Sequence, residues 1–135
     1  MTVPKILLTD CWTRKTVSAV RSLGKEGIEV HVISGTLLAP AIYSEYVKKR
    51  YVFPFPEDHP EKFKEKIFDL IRKEKFDCVM PMDEAASEIL RSDRKEVENI
   101  LLFLLPQLKH IISPTINGKH YRLHKRLVFL YQKVL

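Results

Sequence analysis

Two acidic turns are the groups best able to do chemistry in this sequence. Asp10 follows the apolar run Ile6, Leu7, Leu8, and Asp83-Glu84 follow the run at 76–82. Beside Asp10 stand Thr13, Arg14 and Lys15. Gathered along one rim, these residues would hold a small polar substrate, a carboxylate or an amine, between opposite charges. Each acid also has a purely structural reading, Asp10 as a loop cap and Asp83 as a helix N-cap. No set of residues has the spacing of a zinc site, a catalytic triad or a P-loop. The five histidines, His31, His59, His110, His120 and His124, are dispersed. His31, within an apolar strand, reads as a hydrogen-bonded structural residue. Cys11 and Cys78 are too far apart for a CxxC motif. Cys78 reads as a small buried residue, and Cys11 sits at the ligand rim as a thiol without a histidine partner nearby.

The elements that must position these groups follow from hydrophobic periodicity. An unbroken run at 6–8 beside an amphipathic pattern at 16–26 specifies a central parallel strand, buried on both faces and covered by helices. In such sheets ligands sit at the carboxyl ends of the strands, where the strand order reverses. Val17, Val20 and Leu23 mark the buried face of the first helix. Gly24 permits close packing, and Gly27 suits a left-handed C′ position. A second strand at 28–33 places Ile28, Val30 and Val32 on one face and Glu29, His31 and Ile33 on the other. An aromatic strand at 50–55 follows, with Pro54 marking an edge or an end. Pro60 and Glu61 open a helix over 60–75, on which Phe63, Ile67, Leu70 and Ile71 share a face. The fourth strand is expected at 76–82, followed by a helix carrying Ala86, Ile89 and Leu90. A further helix is expected from Ser92 or Asp93, with Val97, Ile100, Leu101 and Leu104 on one face, and a short fifth strand at 110–113. The result is an α/β, Rossmann-like open parallel sheet of four to five strands flanked by helices.

Composition narrows the classes. A chain of 135 residues, 45% hydrophobic and 30% charged, fits one globular core. No apolar run approaches the roughly 20 residues of a membrane span, and the first acid arrives too early for a secretory signal; cytoplasmic residence is the default expectation. The net charge of +6 suits phosphate or nucleic acid. The bases alternate with acids along helices, however, as solvated faces do, which disfavours a nucleic-acid partner. The abundance of Lys and Glu and the scarcity of Asn and Gln resemble thermophile composition. A dinucleotide fold wants GxGxxG after the first strand and an acid after the second; neither is present. The third strand ends in Phe53-Pro54 rather than a phosphorylatable acid, which disfavours a phospho-receiver. The segment 124–135 is helical in pattern and apolar on much of its surface. It reads either as docked on its own core or as packed against another domain, subunit or copy of the chain.

The opening KILLTDCWTRKTVSAVRSLGKEGIEVHVIS resembles that of the carbamoyl-phosphate-synthase-like ATP-grasp proteins. The likeness continues through Ser44-Glu45-Tyr46, the strand near Arg50, FDCVMPMDE at 76–84, and Arg94. It covers about residues 5–105, and RSLGKEGIEV and VMPMDE are its most specific pieces. The resemblance implies that residues 1–113 form a pre-ATP-grasp domain, the substrate side of a carboxylate-amine ligase. Residues 114–135 would lead into an ATP-grasp domain absent from this chain. Asp10, Thr13, Arg14, Asp83 and Glu84 would then shape the substrate edge. In the family an Asp-Lys pair approaches ATP phosphate; here the place reads His124-Lys125, which makes Lys125 the cofactor contact and lacks the aspartate. The family uses ATP and Mg, whose clamping elements have no room in the ten residues after Lys125. On this reading the chain alone binds neither tightly and does not turn over ATP. The rival expectation is a non-catalytic binding or assembly module that uses the terminal helix as an interface.

Overall fold

The computed structural model describes residues 3–93, 95, 101, 102 and 125. Its elements are β1 (Lys5–Leu8), α1 (Arg14–Lys25), β2 (Glu29–Ser34), a 3-10 turn (Pro40–Tyr43), β3 (Val47–Val52), α2 (Pro60–Glu74), β4 (Cys78–Met80), α3 (Glu84–Arg91) and β5 (Leu101–Leu102). The strands form one sheet in the order β3-β2-β1-β4-β5, and all four pairings are parallel. The expected α/β, Rossmann-like sheet is therefore the fold. β1 is central, with Ile6 opposite both Val30 and Cys78. The order reverses between β1 and β4, and this opens a crevice at their carboxyl ends.

Pleating divides β1 between two cores. Ile6 and Leu8 face α1 and pack with Val20, Leu23, Val30, Val32, Cys78 and Met80. Leu7 faces the other way, among Ile33, Phe63, Ile67, Ile71, Val79 and Leu90 from β2, β4, α2 and α3. The residues 6–8 are fully buried, as a strand covered by helices on both faces requires. Gly27 has φ +77° and ends α1 in the left-handed region. A Cβ on Gly24 would fall 2.3 Å from that of Tyr46, so the glycine admits the segment entering β3.

The larger differences from expectation are in α1, β3, β4 and β5; β2 and α2 shift by a single residue. α1 begins two residues early because the Thr13 hydroxyl caps it, accepting from the Thr16 N–H at 3.3 Å. β3 begins at Val47 and stops before Pro54, which has no N–H to continue the ladder. β4 is only three residues long, ending before Pro81. The largest difference is β5. Leu101 and Leu102, expected on a helix, pair with Cys78 and Val79. A short apolar run has no periodicity that separates helix from buried strand, and β4 had an edge to cover. The expected strand at 110–113 lies outside the described residues, as does the boundary between 113 and 114.

Candidate functional site

The carboxyl edge of the sheet holds a cleft of about 190 Å³. Four successive strand ends supply its walls: Thr9 to Trp12 after β1, Ile33 to Gly35 from β2, Phe53 to Glu57 after β3, and Asp83 after β4. Phe63 of α2 closes one side. The volume is below the roughly 300–1,000 Å³ of sites for drug-sized ligands, so a small molecule, or one end of a larger one, is what fits.

The β1 turn is built around Asp10, whose φ is +51°. Aspartate tolerates this left-handed conformation because its short carboxylate can bond locally. The Asp10 carboxylate accepts from the Trp12 N–H at 3.4 Å, and its carbonyl accepts from the Thr16 hydroxyl. The β4 turn is built around Asp83, which caps α3 by accepting from the Ala86 N–H at 2.6 Å. Thr9 joins the two turns. Its hydroxyl donates to the Asp83 carboxylate at 3.3 Å and accepts from the Met82 N–H at 3.0 Å. One buried threonine thus fixes the end of β1 to the end of β4.

Glu57 brings a third carboxylate to the same cleft. Burial pushes the Asp10 carboxyl above its ordinary value; the Trp12 N–H pulls it back in part, and the charge of Glu57 pushes it up again. Asp83 is raised as well, first by burial and then by the charges of Asp10 and Glu57, against the stabilising Ala86 N–H and Thr9 hydroxyl. The three acids therefore feel one another, and no lysine or arginine lines the cleft among the described residues. Such a site is poised for a cation or for a shared proton. Trp12, Phe53 and Phe55 contribute aromatic surface, which also favours an ammonium group.

Only part of the expected rim is assembled here. Asp10 and Asp83 line the cleft; Thr13, Arg14 and Glu84 do not. Thr13 caps α1 and is exposed, as are Arg14, Lys15 and Glu84. The rim is therefore acidic and aromatic rather than mixed in charge. Lys125 is helical and exposed, and it does not line the cleft either. Glu57 was missed because 56–60 read simply as a loop, although it follows the third strand as Asp10 follows the first. Cys11 is not a reactive thiol. It is fully buried, donates to the Ile33 carbonyl at 3.2 Å, and has its pKa pushed up to about 12 by burial and then by Asp10.

Among the described residues no three His, Cys, Asp or Glu side chains are placed to hold a metal ion. A polyphosphate does not suit a cleft lined, among the described residues, by three carboxylates and no base, so this cleft does not fit ATP. No helix among them is long and apolar enough to cross a membrane.

No protein-family model matches the chain, and no curated protein matches it in sequence. Solved structures do match it in fold. Glycinamide-RNase-transformylase T from Mycobacterium tuberculosis is similar over 76% of this chain and 28% of its own, with a TM-score of 0.56 and 18% identity. The biotin carboxylase domain of Hydrogenobacter thermophilus 2-oxoglutarate carboxylase is similar over 76% of this chain and 22% of its own, at 0.53 and 15%; it was crystallised with MgADP, ADP and bicarbonate. A UDP-glucose 4-epimerase is similar over 96% and 47%, at 0.56 and 14%. The chain thus spans about a quarter of the first two and about half of the third. Identities this low establish a shared fold.

Proposed function

We propose that this chain is the substrate-side domain of an ATP-grasp carboxylate-amine ligase resembling carbamoyl phosphate synthase, and that its cleft holds the amine end of a small polar substrate. The observation that carries the reading is the convergence of Asp10, Glu57 and Asp83 on one small cleft at the carboxyl edge. It is supported by the fold shared with N-terminal regions of transformylase T and biotin carboxylases, which are ATP-grasp-related enzymes. On this reading the chain binds and orients. The carboxylates hold an ammonium group, the aromatic walls exclude water around it, and nucleotide chemistry belongs to elements beyond the described residues. A full ligase would complete the reaction mainly by positioning and charge neutralisation.

Calorimetric titration at pH 7 with alaninamide, which carries a cation and no carboxylate, tests this directly. Binding is expected for alaninamide, a loss is expected for its N-acetyl derivative, and a weakening of about tenfold is expected in Asp10→Asn, a change of about 1.4 kcal/mol. Equal binding of both ligands, or of neither, would contradict the proposal. MgATP is expected to bind this chain weakly or not at all; micromolar affinity would move the nucleotide site into the chain.

A further inference from the structure

The edge of the sheet formed by β3 is unpaired among the described residues and has a character of its own. Among the described residues β3 ends the strand order and pairs only with β2. The Phe53 N–H bonds to the Ser34 carbonyl at 3.0 Å, just beyond the ladder. Because backbone groups alternate sides along a strand, Lys49 and Tyr51 also direct theirs toward β2, while Arg50 and Val52 direct theirs outward. Among the described residues, 48–52 make no backbone hydrogen bond outside the β2 ladder. The side chains of Lys48, Lys49, Arg50 and Val52 are exposed. Unpaired donors and acceptors in such a row are a template for another strand.

From this geometry we infer that β3 is a docking edge for an extended acidic peptide segment, which adds to the sheet as a further strand beside β3. The backbone of Arg50 and Val52 supplies the pairing, and the consecutive bases select the partner. Of these bases, Lys49 is committed in part to Glu74 at 3.3 Å, and Lys48 lies in the field of Glu29. Arg50 stands over the Tyr43 ring at 6.0 Å, with no carboxylate partner among the described residues. Glu45 precedes the strand, but the edge itself carries three bases and no acid. A second copy of the chain is a poor occupant: antiparallel self-pairing would set like charges opposite one another, which is destabilising. An acidic strand reverses that sign. Val52 and Tyr43, both exposed, add apolar contact on the same flank.

The test uses three end-blocked, fluorescein-labelled hexapeptides followed by anisotropy on the intact chain. One alternates glutamate with valine, one alternates lysine with valine, and one is the glutamate peptide N-methylated at alternate bonds. Only the first is expected to bind, with affinity falling as salt rises. The double variant K48E/R50E is expected to lose at least tenfold in affinity while keeping the parent's thermal melt, because both side chains are exposed. Equal binding of the lysine peptide would remove the charge argument, and equal binding of the N-methylated one would remove strand addition. Failure of the glutamate peptide to bind the folded chain, or a dimer forming through this edge without peptide, would overturn the proposal. The alaninamide titration reads a different surface, so the two proposals fail independently.

Discussion

The two ends of the sheet treat carboxylates in opposite ways. At the amino end Glu29, Glu74 and Asp77 each have a base or an N–H to meet. Glu74 receives Lys5 at 3.5 Å and Lys49 at 3.3 Å, the Asp77 carboxylate accepts the Lys5 N–H at 2.9 Å, and Glu29 meets His31 at 2.8 Å. The His31 bond and charge hold Glu29 below the ordinary carboxylate value. Burial alone would raise Glu74, but bonds and charges from Lys49 and Lys5 outweigh it and hold it low. At the carboxyl end Asp10 and Asp83 are raised, and their partners are backbone N–H groups and one hydroxyl. One end is arranged for stability. The other leaves charge uncompensated, as functional sites often do.

The contrast can be broken most severely at His31. Its ring is fully buried, bonded to Glu29 at 2.8 Å and Tyr51 at 3.0 Å, and packed edge-on against Phe76. His31→Ala removes that packing and strands the Tyr51 hydroxyl, with an expected cost of about 2–4 kcal/mol in urea unfolding. At the opposite end, a Cβ on Gly35 would meet the Phe55 ring at 2.4 Å. Gly35→Ala should therefore cost about 1–3 kcal/mol and reshape the cleft, weakening alaninamide more than Gly24→Ala does. Glu74→Gln should cost about 1 kcal/mol at pH 7, since it removes a partly buried ion pair with Lys5 and an exposed one with Lys49.

The smallest effects sharpen the contrast through pH. For Glu29 and Glu74 the folded value lies below the ordinary 4.5. Their contribution is complete above that value and is lost as pH falls through the folded one. For Asp10 and Asp83 the folded value lies above the ordinary 3.8. The native state there holds protons longer than the unfolded chain, so stability declines as pH rises from about 3.8 through the folded value. Asp83→Asn keeps a capping side chain and should flatten that decline, leaving stability at pH 7 equal to the parent's or higher by less than about 1 kcal/mol. A steeper decline in the variant would show that Asp83 is not strained by its neighbours.

Much of this was legible because periodicity and capping are local. Ile6 to Leu8 announced a strand buried on both faces, Pro60 and Glu61 opened α2, and Asp83 followed by the Ala86 face announced a cap. The two acids at the strand ends were legible as a pair because parallel topology sends such turns to one edge. What stayed hidden depends on side chains meeting from distant segments. Glu57 has no local signature, and only the fold carries it to Asp10. Thr13 and Arg14 lie near Asp10 in sequence, yet the helix that Thr13 starts carries Arg14 off the cleft lining. Leu101 and Leu102 misled because their partner, β4, is over twenty residues away.

Both cysteines are sealed inside the fold, each with no exposed surface, and they are the two that the sequence contains. The native protein should therefore be blind to maleimide. A single cysteine placed at Leu38, where the side chain is 78% exposed, becomes a lone chemical address on the molecule. Mass spectrometry should find one adduct on the variant and none on the parent until denaturant is added.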